Sequence, residues 1–166
     1  MTVEIHNRHP KLRVHKRLLA RHLRAMLSAC DRPKALVDVS LVSDDEIRSL
    51  NREHRQVDAV TDVLSFALEE AGTTGPIEVL GDIVISLDSA RRQAHLVAHA
   101  TARTPYRLRE ETFFLATHGL LHLMGYDHQN DMDCAMMEAL ERRFMAAITP
   151  VAMHQIDRSD HGLNCQ

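Results

Sequence analysis

The chain has 166 residues, 45% apolar and 26% charged, the size and composition of one globular domain with a real core. Its formal charge of -3 argues against a generally basic nucleic-acid binder, and it has no apolar run of about 18 residues to span a membrane. The opening MTVEIHNRHPKLR has no apolar h-region, and Cys30, Cys134 and Cys165 are widely spaced without a CxxC, which together predict a cytoplasmic protein with reduced thiols.

In chain order, VEIHN (3–7) alternates and predicts a strand. Pro10 opens a helix through about Cys30, with Leu12, Leu19, Leu23, Met26 and Cys30 on one stripe. Arg13, Lys16, Arg17, Arg21 and Arg24 fall on another face. With Arg8 and Lys11 they make seven cations without an acid between residues 5 and 30. That face is either a phosphate contact or ordinary solvating charge. LVDVSLV (36–42) predicts a second strand, and the capping box Ser43–Glu46 starts a short helix to about Asn51. A loop, REHRQVDAVT, leads to a third strand, DVLSFAL (62–68). After the turn-rich EEAGTTGP (69–76), VLGDIVIS (79–86) predicts an interior fourth strand.

A helix follows over about 87–102. Thr104–Pro105 opens the next, to about Met124, apolar nearly all round and hence central. Gly125 ends it as a left-handed residue. A last helix, about 131–147, packs Met136, Met137, Leu140, Phe144 and Ile148. Residues 150–166 are polar and aperiodic, a loose tail. The prediction is a single α+β domain over 1–149: a four-stranded mixed sheet packed on about five helices.

HGLLHLMGYDH, His118 to His128, carries the chemistry. His118 and His122 leave one helical face about 5–6 Å apart at Cβ. Gly125 lets the chain turn back, so that His128 can supply a third imidazole. Three neutral imidazoles with an open fourth position describe a catalytic zinc, with copper or nickel as weaker candidates. In a random chain with 12 His in 166 this spacing occurs about 0.06 times, or about 0.002 times once the glycine is required, so coincidence is a poor explanation. The other histidines, His6 among them, read as surface or polar filler.

The spacing matches the zinc-peptidase pattern H-E-x-x-H-x-x-G-x-x-H except that Gly119 replaces the Glu base. A peptidase without that base is a poor one, whereas a three-His zinc still lowers the pKa of its water to about 7. The missing side chain would also open room above the metal. A bulky substrate with a better leaving group than an amine fits, and a phosphodiester qualifies. Asp127 is either a proton shuttle, a partner of a ligand imidazole, or only a turn residue. Arg55, in the loop before the third strand, is either a phosphate ligand or a solvated surface residue.

R-x5-TDVLSF (Arg55 to Phe66), LGDIVIS (Leu80 to Ser86) and HGLLHLMGYDH, in this order, resemble the YbeY family of rRNA maturation factors over about residues 35–147. The resemblance implies a zincin-like fold with a central metal-bearing helix. It implies a metal-dependent endoribonuclease specific for single strands, acting on small-subunit rRNA at its 3′ end and in ribosome quality control. It carries the metal ligands onto His118, His122 and His128, and the functional arginine onto Arg55. Two positions depart: His54 replaces an aromatic before the arginine, and Ala67 a proline after the strand motif.

The expected function is therefore cleavage of unpaired RNA at one zinc ion, with His118, Arg55 and Asp127 as catalytic residues. Ribosomal or ribosome-assembly proteins are the expected further partners, and no membrane is involved. Two rivals stand beside it: a ribosome-assembly factor with a structural metal, and a zinc peptidase.

Overall fold

Runs of alternating β-branched residues become strands and runs of 3.6-residue period become helices, as their patterns require. The computed structural model describes residues 2–68, 77–100, 105–127 and 129–151. Its elements are β1 (Val3–Asn7), α1 (Lys16–Ala29), β2 (Leu36–Val42), α2 (Asp44–Arg55), β3 (Val63–Ala67), β4 (Val79–Ser86), α3 (Leu87–Ala100), α4 (Leu108–Leu123) and α5 (Asp131–Met145). The strands form one mixed sheet in the order β1-β2-β4-β3. β1, β2 and β4 are parallel, and β3 is an antiparallel edge strand, with Ser65 opposite Ile83.

One face of the sheet holds the main core. Val37, Val39, Leu41, Ile83 and Ile85 pack there against Leu19, Leu23 and Leu27 of α1 and Phe113, Leu115 and Leu120 of α4. α4 is buried along nearly its whole length, as its apolar circumference predicts. Among the described residues, the opposite face is covered only at one end, where Ile47 of α2 meets Val42, Leu64 and Val84, and the rest of it carries Glu4, Asp38 and Asp82 in register on three neighbouring strands.

Three helix boundaries differ from the sequence prediction. α1 begins at Lys16 rather than near Pro10, because the buried His9 organises the preceding segment as a loop. Its Nδ1 accepts from the backbone N–H groups of Lys11 (3.1 Å) and Leu12 (2.8 Å), so its Nε2–H donates to Asp88 at 3.1 Å. α2 continues past Asn51 to Arg55, with basic residues in its last turn facing the negative helix end and Gln56 left-handed at φ 58°. α4 begins at Leu108, where the Arg107 N–H donates to Glu110 at 2.9 Å; Thr104 lies outside the described residues.

Two other expectations are corrected. Met136, assigned to the packed stripe of the last helix, is 54% exposed, while Met137 is fully buried. Cys134 is disulfide-bonded, which corrects the expectation of a reduced thiol there, whereas Cys30 is a free thiol; Cys165 lies outside the described residues. The expected loop 69–76 and most of the expected tail lie outside the described residues, but Val151 is buried with Ala94, Val97 and Tyr106. Among the described residues no helix is long and apolar enough to cross a membrane.

His22 ties α1 to α4. The Thr117 hydroxyl donates to the Phe113 carbonyl at 2.8 Å, so it accepts the His22 Nε2–H, also at 2.8 Å. Burial lowers the His22 pKa from 6.5 to about 4. Protons therefore favour the unfolded chain in this window: the stabilisation is complete above pH 6.5 and is lost as pH falls to about 4. The loss from this group is at most about 3 kcal/mol. Urea unfolding at pH 7 and pH 4 is expected to give a shallower pH dependence for His22→Gln, which does not titrate; equal dependence in both proteins contradicts this assignment.

Candidate active site

α4 delivers His118 and His122 from the same face, and the two imidazoles converge. Their Nε2 atoms lie 3.0 Å apart, and the rings stand nearly edge to face with centroids 4.6 Å apart. His118 is buried and His122 is half-buried, so the pair opens toward solvent on the His122 side. His118 Nδ1 donates at 2.6 Å to Glu141, a buried carboxylate reaching across from α5. That bond places the His118 proton on Nδ1 and leaves the Nε2 lone pair facing His122.

This arrangement fits a metal ion. Two imidazole nitrogens on a tetrahedral zinc, each about 2.0–2.1 Å from it, stand roughly 3.3 Å apart, close to the spacing of this pair. A carboxylate on the far nitrogen of a ligand histidine is the usual partner in such sites. His118 and His122 would hold the ion. His128, the expected third ligand, lies outside the described residues, and with it the expected return of a third ring.

The turn that leads toward His128 is described up to Asp127. Gly125 has φ +96°, and a side chain there would be strained. The Gly125 N–H bonds the His122 carbonyl and the Tyr126 N–H bonds the Leu121 carbonyl, both at 3.0 Å. This is the paired closure by which a left-handed glycine ends a helix, as the sequence predicts. Asp127 follows, half-buried.

Gly119 faces the sheet. A Cβ on it would lie 2.9 Å from Ile83 Cγ2 and 3.1 Å from Ser65 Oγ. Its missing side chain therefore admits the strands against α4; it does not open room above a metal, which corrects the sequence reading. Ser65 Oγ donates to the Gly119 carbonyl at 3.3 Å, fastening the edge strand to the helix that bears the histidines. Arg55 closes this corner from the end of α2, not from a loop. Its guanidinium donates to the Ser65 carbonyl at 3.3 Å and lies over the Phe66 ring, 6.0 Å from its centroid. Ser65 thus connects Arg55 to the histidine helix.

The family model described as Endoribonuclease YbeY matches residues 4–149. The chain belongs to the YbeY endoribonuclease family. It is 44% identical over 147 residues to Endoribonuclease YbeY of Anaeromyxobacter sp. (strain Fw109-5), covering 89% of this chain and 72% of that one. It is 46% identical over 122 residues to the protein of that name from Moorella thermoacetica, covering 69% and 74%. The solution structure of TM1509 from Thermotoga maritima superposes with a TM-score of 0.56 at 26% identity, covering 88% of each chain. The YbeY family acts on RNA as an endoribonuclease, and the four-stranded α+β fold is shared with that solved structure.

Two parts of this YbeY chain went unread in its sequence. Glu141 sits 23 residues from His118 in a helix with no motif, and only its i+4 phase from the buried Met137 hinted at an inward position. Glu4, His6 and Asp38 offer ligand atoms within 4.8 Å of one another on the open sheet face, where His6 had been read as filler. Asp82 adds a fourth polar group, and its carboxyl is pushed above the usual range by burial and then by the Asp38 charge. Glu4, Asp38 and Asp82 line a shallow concavity of about 390 Å³, on the face opposite the histidine pair.

The packing at Gly119 yields a test against the peptidase reading. Gly119→Ala is expected to lower stability by about 1 kcal/mol, because the clash with Ile83 outweighs the helix gain. Its melting temperature falls by roughly 2–4 °C. Gly119→Glu, which restores the peptidase pattern, is expected to fall several times further and to gain no peptidase activity. Thermal unfolding of both variants at the parent temperature contradicts the packing account.

Proposed function

We propose that this chain is a zinc-dependent endoribonuclease that cuts single-stranded RNA during small-subunit rRNA 3′-end maturation and ribosome quality control in the cytoplasm. The observation that carries the proposal is the pair of imidazole Nε2 atoms 3.0 Å apart, with His118 oriented by Glu141. Membership of an endoribonuclease family supplies the substrate class. His128 is proposed as the third ligand and Asp127 as a proton carrier. A bound zinc ion supplies Lewis acidity toward the phosphodiester and the attacking oxygen.

The chain's own groups do the rest. His118 and His122 would hold the reacting centre near the C-terminal end of α4, with His118 buried and His122 half-buried. Glu141 keeps the His118 ring in one orientation and one tautomer. Arg55, anchored on the edge strand by its bond to the Ser65 carbonyl, is proposed to offset charge developing on the phosphate. Phosphate contacts away from the site come from α1. Arg13, in the segment before α1, and Arg24 are partly engaged, donating to the backbone carbonyls of His9 (2.6 Å) and Val3 (3.4 Å). Among the described residues no hydrogen bond or ion pair takes up the exposed side chains of Lys16, Arg17 and Arg21.

Three variants test the site. His118→Ala is expected to lose both stoichiometric metal and RNA cleavage. Arg55→Glu is expected to keep its metal and cleave at least about 100-fold more slowly. Glu141→Gln is expected to bind metal about 10–100-fold more weakly. Metal analysis alongside cleavage of a structured RNA reads all three, and full cleavage by a metal-free His118→Ala protein rules the proposal out.

A separate titration tests α1. Replacing Lys16, Arg17 and Arg21 with glutamine is expected to reduce the slope of log affinity for single-stranded RNA against log salt by about 2. An unchanged slope removes this face from RNA binding.

A further inference from the structure

We propose that Phe66, flanked by His54 and Arg55, is a stacking subsite for an unpaired nucleobase of the RNA. The subsite rests on the reading of the chain as a ribonuclease acting at the histidine pair.

Phe66 lies on β3, the antiparallel edge of the sheet. Its inner side packs against the cluster of Val42, Ile47, Leu64 and Val84, so the ring is held in place, while the residue remains half-exposed. Two more planar groups stand beside it on the solvent side. The His54 ring is tilted 58° to Phe66 with centroids 5.1 Å apart. The Arg55 guanidinium lies over the ring, and its hydrogen bond to Ser65 restrains it there. Both residues are exposed and occupy the last turn of α2. β3 lies tight against β4 here: a Cβ at Gly81 would meet the Phe66 carbonyl.

Three planar surfaces at one exposed point are what an unstacked base needs, since aromatic rings and guanidinium planes both accept its face. A base inside a duplex has its faces covered by its neighbours and cannot use them. The platform therefore gives single strands an advantage that a basic surface alone does not. Its placement matters as much as its composition. Ser65, the residue before Phe66, holds Arg55 through its carbonyl and contacts α4 at Gly119 through its hydroxyl. A strand of RNA crossing the sheet edge meets the platform on one side and the histidine helix on the other, with Arg55 between them.

The test uses short RNAs carrying the fluorescent base 2-aminopurine at successive positions, titrated into the full chain with a chelator present so that the RNA stays intact. The parent is expected to quench the label at one or more positions. Phe66→Leu, which retains an apolar contact with the inner cluster, is expected to lose that quench and bind about tenfold more weakly. Phe66→Trp is expected to restore both. His54→Ala alters only an exposed ring at a helix end and is expected to lose part of the quench, which keeps the test sound if Phe66→Leu unfolds. Parent-like quench and affinity in both Phe66→Leu and His54→Ala overturn the subsite and leave the nuclease reading standing. RNA binding by the parent without quench at any position does the same. No binding of RNA by the parent overturns the subsite together with the reading it rests on.

Discussion

A hydrogen bond of 2.6 Å between His118 and Glu141, sealed between α4 and α5, decides which nitrogen His118 turns toward its neighbour. An exposed imidazole switches tautomer and rotates freely; a buried carboxylate on one ring nitrogen opposes both. The bond depends on α4 being central. A helix apolar on every side must be covered on every side, and the sheet, α1, α3 and α5 provide the cover. Burying a histidine in such a helix is tolerable only where its polar atoms are satisfied, and Glu141 and His122 meet that need.

The same helix explains why the peptidase-like pattern is broken. At position 119 α4 lies against the sheet, and the contact with Ile83 and Ser65 leaves no room for a side chain. The histidine spacing and the glycine therefore answer two different constraints, one toward the open side of the helix and one toward the strands. Charge follows the same division. α1, packed on the helical side, carries cations without an acid, whereas the open sheet face carries the row Glu4, Asp38 and Asp82. A polyanion is drawn to the first side, and the acid row repels it from the second except at the β3 edge, where Arg55 stands over Phe66.

Much of this was legible in the sequence because it is written in short-range patterns. Alternation located β1 and β2 without error, and the strand over Val79–Ser86 was bounded at both ends. Gly125 was legible as a helix stop because its left-handed backbone favours glycine. The convergence of His118 and His122 followed from four-residue spacing. What was not legible depends on distant partners. The buried ring of His9 delays α1 through contacts with its own loop and with Asp88 on α3. Glu141 has no local signal for its contact with His118, and the contact of Arg55 with Ser65 forms only when β3 folds beside the end of α2. Gly119 was misread for the same reason: a missing side chain looks like open space until the strand that fills it is seen.

The most direct test of the paired histidines as a metal clamp is zinc X-ray absorption on the zinc-loaded chain. The account predicts a shell of imidazole nitrogens at about 2.0–2.1 Å, with a light oxygen donor completing the coordination. A sulfur shell near about 2.3 Å, or a zinc without imidazole scattering, would contradict it.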